Sequence, residues 1–457
     1  MIFKDLVIVL PGISGSVLSK DGKEVWGAST AAIWKAVTSG GGSIRSLAIQ
    51  GMDDPSLDDL GDGMEATSLV QDLHIIPGLW KIDGYTGLLA RLKSSLQLEE
   101  GRNLFAFPYD WRRDNRVAAR KLAQAAKGWL DKWRVTSGAS DAKLVVVAHS
   151  MGGLVSQYFL EVMGGWKDTR ALVTFGTPYR GSVSALGYLA NGFSAGVGPL
   201  KVDLTSIMAS FTSVYQLLPA FECVDRSDGK LARIGEIAGV NGVDPARAAA
   251  ALAFYRDIKA AAEANAKDET YHAGAYQTYP IVGLAQPTFQ SATLSGGKIT
   301  LLRSSRGRDY SGDGTVPRFS ATPLEMSDSH REIYVAEQHG SLQDFDPALV
   351  NLIGVLTGQD IDLSQFNFAA LTLSLDIDDV YSADDVVLRA TPSIEAPVRA
   401  KVYDAESGAL AKELVFAPDG DVYVARAQLP AGTYRAKVTA EFAGNPVTVT
   451  EAFLTVN

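Results

Sequence analysis

A serine is a weak nucleophile unless a turn exposes its hydroxyl and a base takes its proton. Ser150 has the turn: Val145-Val146-Val147-Ala148-His149-Ser150-Met151-Gly152-Gly153 is a β-branched run, a small-x-Ser-x-Gly turn and the start of a helical pattern. That order describes a nucleophile elbow, which lifts a serine hydroxyl over the end of a sheet. Small residues are needed beside the serine because other backbone passes close by, and Gly152 permits that approach. Ala148 replaces the usual first glycine, and smallness is all the position demands. The helix that follows aims its first amides at the site, which favours developing negative charge. The competing reading is a chance serine in an ordinary strand-to-helix turn.

The base must come from five histidines. His149, inside the turn, is expected to point away from Ser150 and to pack. His74 and His272 fall in insertions. His339 follows the apolar run of Tyr334-Val335-Ala336, where a fold of this kind places its histidine after the last core strand. His330, ahead of that run, is the second choice. The acid should lie between Ser150 and His339. Asp313, flanked by glycines in Asp309-Tyr310-Ser311-Gly312-Asp313-Gly314-Thr315-Val316-Pro317, is the candidate that would hold the imidazole tautomer, with Asp309 as alternative. This acidic segment lacks the spacing of an EF-hand loop, so no metal is expected. An oxyanion hole needs two backbone amides. Met151 offers one, and Ile13 offers the other from the turn Pro11-Gly12-Ile13-Ser14-Gly15-Ser16.

These residues need a scaffold. Short apolar runs at 6–10, 103–107, 143–148, 172–175, 299–302 and 333–336 alternate with helical patterns such as 116–133, the mark of a parallel sheet covered by helices. Residues 185–285 are rich in Ala and Gly with no convincing strand, and read as a helical cap. Residues 25–80 are irregular and Gly-rich, and read as a lid. Trp26, Trp34 and Trp80 in that stretch are candidates to touch a substrate chain, although aromatic residues more often pack. After residue 360 the pattern becomes several short alternating strands separated by turns such as Pro418-Asp419-Gly420. That predicts an immunoglobulin-like β-sandwich over 370–457. The tail reads as a binding, stabilising or subunit-contact module, and truncation after about Gly358 is expected to leave a folded, active hydrolase unless that domain seals the core.

Composition bounds the function. The 457 residues exceed one compact core. A net charge of -10 argues against nucleic acid as partner. A single cysteine, Cys223, excludes an intramolecular disulfide and disfavours a thiolate metal site. No apolar run is long enough to span a bilayer, and no secretory signal is visible, so a cytoplasmic location is expected unless a leader was removed.

Four segments then occur in one order: 10–18 (Leu-Pro-Gly-Ile-Ser-Gly-Ser-Val-Leu), Pro108-Tyr109-Asp110-Trp111-Arg112, the Ser150 turn, and Gly312-Asp313-Gly314-Thr315-Val316-Pro317. The series resembles the lecithin:cholesterol acyltransferase family, which includes lysosomal phospholipase A2-like enzymes, over roughly the first 360 residues. The resemblance implies an α/β-hydrolase domain over 1–360. It also implies Ser150, Asp313 and His339 as the triad, with the amides of Ile13 and Met151 as oxyanion hole. It implies an acyl-serine intermediate formed from an ester, lipid among the candidate donors, with water or an alcohol taking the acyl group and no cofactor. Pro108 to Arg112 is expected to shape the site floor. The lid is expected to make any peripheral lipid contact. A binding protein that keeps the fold without activity is the contrasting reading.

Overall fold

The computed structural model describes residues 3–27, 42–71, 74–76, 80–195, 202–226, 229–274, 276–323, 332–358 and 371–456. Its centre is a six-stranded, all-parallel sheet formed by β1 (Leu6–Leu10), β2 (Leu104–Ala106), β3 (Leu144–His149), β4 (Thr169–Phe175), β5 (Gln277–Gly283) and β6 (Ile333–Val335). The spatial order is β2-β1-β3-β4-β5-β6. β3 reads as unbroken apolar residues because helices cover both faces of the sheet. On one face Ile8, Val146 and Leu172 pack with Leu122 and Leu130 of α2 (Asn115–Ser137) and Leu154 of α3 (Met151–Glu161). On the other, Val9, Val147 and Val173 pack with Leu88 and Leu92 of α1 (Thr86–Leu96) and Leu352 of α4 (Asp346–Thr357).

Two sequence expectations need correction. Residues 299–302 do not join the central sheet: Lys298–Leu302 pairs antiparallel with Ser291–Ser295 in a separate four-stranded sheet. Lys298-Ile299-Thr300-Leu301-Leu302 alternates in exposure, which belongs to a half-buried antiparallel strand and not to a strand buried on both faces. The place expected for it is filled by β5, which carries Pro280, a residue seldom found in a central strand. β6 pairs with β5 only from Ile281 onward, so Pro280 lies just outside that ladder. The stretch expected to be a purely helical cap does contain helices at Val183–Ala190 and Pro245–Asn265. It also contains short strands, Val224–Asp225 and Leu231–Ala232, in the same four-stranded sheet.

Ahead of the second central strand, Ser16–Lys20, Lys23–Trp26 and Met64–Leu69 form a small antiparallel sheet. The C-terminal residues form a four-stranded and a five-stranded sheet around one apolar core that includes Leu388, Val402, Val438 and Phe453. Three strands of this unit matter below: β7 (Leu373–Asp376), β8 (Gly432–Phe442) and β9 (Asn445–Val456). Among the described residues no helix is long and apolar enough to cross a membrane.

Candidate active site

In an open parallel sheet, ligands bind beyond the carboxyl ends of the strands. Leu10 pairs with Ala148, His149 with Phe175, and Gly283 with Val335, so five adjacent strands end at one level. Every site residue inferred from sequence that lies among the described side chains, apart from Trp26, sits on a loop leaving that edge.

Ser150 follows β3 and carries φ 52° and ψ −125°, a conformation strained for a residue with a Cβ. The strain is held from three sides. The Ser150 amide donates to Phe175 O at 2.8 Å, and the Thr177 hydroxyl donates to Ser150 O at 2.9 Å. Gly152 packs against the first loop so closely that a Cβ there would lie 2.4 Å from Pro11 O. The smallness required by the sequence pattern is thus the close approach of Pro11.

His339 Nε2 lies 2.9 Å from Ser150 Oγ, and His339 Nδ1 lies 2.8 Å from Asp313 Oδ2. Asp313 is buried, and its Oδ1 accepts from the amides of Thr315 at 2.9 Å and Val316 at 2.7 Å. The His339 amide also donates to Asp313 O at 2.9 Å, which ties the two loops by backbone. Gly176 backs the pair: at φ 57° it leaves room where a Cβ would sit 2.8 Å from His339 Nδ1 and 2.9 Å from Asp313 Oδ2. Asp309 is elsewhere, accepting from Gln290 Nε2 and the Ser311 amide. His330 lies outside the described residues, as do the side chains of His74 and His272.

The loop from Pro11 to Ser16 lies against the elbow, since a Cβ on Gly12 would meet Ser150 Cβ at 2.9 Å. The 108–112 motif braces it from behind. Tyr109 Oη donates to Pro11 O at 2.9 Å, and Trp111 Nε1 donates to Ser16 O at 3.0 Å. Trp26, edge-on to Trp111, donates its indole N–H to Ser14 O at 2.8 Å. Trp26 is only 2% exposed, so it is a strut of this loop and not a surface for a substrate chain. Arg112, fully buried, pairs with Asp110 and Asp62 and donates to Leu47 O at 2.9 Å. With three loop carbonyls anchored behind, the Ile13 amide is left with no protein acceptor among the described residues, and the same holds for Met151. Trp34 is outside the described residues, and of Trp80 only the strand Trp80–Ile82 is described.

One network was not foreseen. Gly12 N–H donates to Tyr85 Oη at 2.8 Å, Tyr85 Oη lies 3.0 Å from His149 Nδ1, and His149 Nε2 lies 3.1 Å from His339 O. His339 O can only accept, so Nε2 carries the ring proton that reaches it, and the Tyr85 hydroxyl, which accepts from Gly12, donates to Nδ1. His149 is therefore a neutral tether between the first loop and the histidine loop. Burial, with the neighbouring His339, pushes its imidazole down to about 3. Cys223 is buried, and burial pushes its thiol up to about 12, which makes it an inert packing residue.

Comparison with known proteins reaches the 108–112 motif and the Ser150 elbow, while the residues matched by the family model stop short of Asp313 and His339. The family model described as lecithin:cholesterol acyltransferase matches residues 80–295. A human protein named lysosomal phospholipase A and acyltransferase is 32% identical over 108 residues, covering 22% of this chain and 25% of that protein. An Arabidopsis thaliana protein named lecithin-cholesterol acyltransferase-like 4 is 32% identical over 127 residues, covering 27% of this chain and 22% of its own. The chain thus matches about a quarter of the length of these curated relatives. A chain in the crystal structure of the Tle4-Tli4 complex superposes with a TM-score of 0.49 at 16% identity, covering 78% of this chain and 99% of that one.

Proposed function

From a chain that is lecithin:cholesterol acyltransferase-like, we propose a serine-dependent ester hydrolase that acts on a lipid or other acyl ester. The observation that carries the reading is the continuous line Ser150 Oγ, His339 and Asp313, at 2.9 and 2.8 Å, on an elbow with φ 52°. Ser150 Oγ attacks the ester carbonyl while His339 Nε2 takes its proton, and Asp313 holds the tautomer and stabilises the imidazolium. The amides of Ile13 and Met151 receive the oxyanion. The imidazolium then protonates the departing alkoxide, leaving an acyl-serine. Water attacks that ester with His339 as base, and collapse returns the proton to Ser150 and frees the acid.

Transfer to an alcohol is the second reading, and the burial of Ser150 and His339, 5% and 7% exposed, favours keeping it. A shielded acyl-serine reacts with whichever acceptor the site admits. The name of the human relative couples both activities, phospholipase and acyltransferase. Within this proposal residues 1–360 are the catalytic unit, with 25–80 as lid and the expected cap shortened to 185–276, since Gln277–Gly283 belongs to the central sheet, and 370–457 are an immunoglobulin-like unit. The cytoplasmic location expected from sequence gains no support from a relative named lysosomal, and the proposal does not include it.

The test is labelling with a fluorophosphonate, followed by acyl release from phospholipid vesicles with and without added long-chain alcohol. Labelling should map to Ser150 and vanish in Ser150→Ala together with turnover, by about 10^6-fold in kcat. Labelling of Ser150→Ala at the wild-type rate overturns the assignment. Ester product formed with alcohol at the expense of free acid establishes transfer.

A further inference from the structure

Among the contacts of the C-terminal β unit with the rest of the chain, one is made by a side chain placed among the loops of the site. β5 ends at Gly283, and three residues later Gln286 is buried. Its backbone lies along the Asp313 loop: the Gln286 amide donates to Gly312 O at 3.0 Å, and the two segments form a parallel bridge at Gln286 and Asp313. Its carbonyl accepts from the Thr288 hydroxyl, which in turn accepts from the Gly314 amide.

The Gln286 side chain points elsewhere. Nε2 donates to Leu373 O at 3.1 Å, and Oε1 accepts from the Leu375 amide at 3.2 Å. β7 is the edge strand of its sheet, and an edge strand presents unpaired backbone groups. The carboxamide has one donor and one acceptor at the spacing of a peptide group, so it fills that edge as a neighbouring strand would. The second lone pair of Oε1 accepts from Gln338 Nε2 at 2.9 Å. Gln338 immediately precedes His339.

The other neighbours of His339 are fastened to the same unit. Glu337, fully buried, accepts from the Thr450 amide of β9 at 3.0 Å. The amide of Asp83 donates to Gly340 O at 3.0 Å, and the Asp83 carboxylate pairs with Arg435 of β8 at 2.8 Å. Residues 337, 338 and 340 are thus each tied, directly or through one side chain, to the C-terminal strands. The His339 ring itself spends its hydrogen bonds on Ser150 and Asp313. Gln286 thus touches the acid loop, the histidine loop and the β unit at once.

We propose that Gln286 is a positioning residue through which the C-terminal β unit sets the distance of His339 from Asp313 and Ser150. The proposal rests on the reading of those three residues as the catalytic line. A misplacement of about 1 Å in such a line costs on the order of 100-fold in rate.

The test uses the full chain and two variants: Gln286→Met, which keeps the volume and removes all three side-chain bonds, and Gln338→Met, which removes only the bond between the two glutamines. Two readouts are compared. One is kcat per fluorophosphonate-titrated site, together with KM on a soluble ester. The other is the downfield proton NMR resonance of the His339 Nδ1–H, assigned by its loss in His339→Ala. Gln286→Met should lower titrated kcat by about 10- to 100-fold at unchanged KM and shift the resonance. Gln338→Met should do the same in smaller measure, and the double variant should be no worse than Gln286→Met alone. A wild-type resonance and wild-type titrated kcat in Gln286→Met overturn the proposal, as does a loss confined to the titratable fraction. If the wild type is not labelled at Ser150 yet the resonance moves in Gln286→Met, the positioning holds and the catalytic reading falls.

Discussion

His149 should make the protein lose stability in mild acid, by an amount the structure fixes. Its imidazole lies between the Tyr85 hydroxyl at Nδ1 and His339 O at Nε2, without a carboxylate among its hydrogen-bond partners. Protonating Nδ1 would set a second donor against a hydroxyl already accepting from Gly12, in a site 2% exposed. Burial accordingly depresses the folded value to about 3 from an ordinary value of 6.5. The folded state refuses a proton that the unfolded chain accepts, so stability falls as pH drops below about 6.5, and the loss is complete only near pH 3. Between pH 7 and pH 5 this one group costs about 2 kcal/mol, and about 5 kcal/mol over the whole window. Asp344 works in the opposite sense over part of that range, since burial and the neighbouring Asp83 raise its carboxyl to about 6. It acts equally in wild type and in His149→Asn, so it cancels in their difference. Urea unfolding followed by tryptophan fluorescence suits the measurement, because all seven tryptophans precede Lys167. The wild type should lose about 2 kcal/mol relative to His149→Asn on going from pH 7 to pH 5. Parallel profiles for the two proteins would show that His149 takes up a proton in the folded state, and the tether as drawn would be wrong.

Asp313→Asn should fold normally and lower kcat by about 10^4-fold. Oδ1 already accepts two backbone amides, so the new NH2 must face His339 Nδ1, which forces the proton onto Nε2 and turns it toward Ser150. Turnover within tenfold of wild type would show that Asp313 does not hold the tautomer. Tyr109→Phe leaves Pro11 O without its buried donor and should cost about 1–3 kcal/mol, read by urea unfolding. It should also lower kcat without raising KM for a soluble ester, since the loop it braces carries the Ile13 amide. An unchanged kcat would detach the 108–112 motif from the site.

The candidate site was legible where chemistry is written locally. Ser150 stands between a buried strand and a helix, and the small residues around it answer to contacts, such as Pro11 against Gly152, that any elbow must make. His339 and Asp313 followed from chain order and from glycines that let their loops turn. Sequence missed β5 because Pro280 and the polar start at Gln277 break the apolar run, and only the sheet shows that the pairing of β5 with β6 begins at Ile281. It overvalued 299–302 because a short apolar run does not say whether one face or two are covered. Trp26 read as a lipid contact and proved a strut, since an indole N–H meeting a carbonyl twelve residues away leaves no mark in the pattern. Gln286, Tyr85 and His149 were invisible for the same reason: an amide, a phenol and an imidazole have no spacing rule, and their side-chain partners lie 52 to 190 residues away along the chain.

That asymmetry changes how the tail should be understood. A strand pattern after residue 360 suggested a module that could be cut away, because nothing in its sequence points at Ser150. In the folded chain, removal would strip Leu373 O and the Leu375 amide from Gln286, the Thr450 amide from Glu337 and Arg435 from Asp83. A buried carboxyl that loses one of its donors and a buried amide that loses two partners each carry a penalty of about 1–3 kcal/mol where they stay out of water. Those penalties fall on the residues flanking His339, whereas Ser150 and its elbow are held by Phe175, Thr177 and Pro11, none of them in the β unit. Nucleophile and base are therefore secured by different parts of the chain. The serine is fixed by the central sheet, and the distance of the histidine from it is set in part by the β unit at the far end of the sequence.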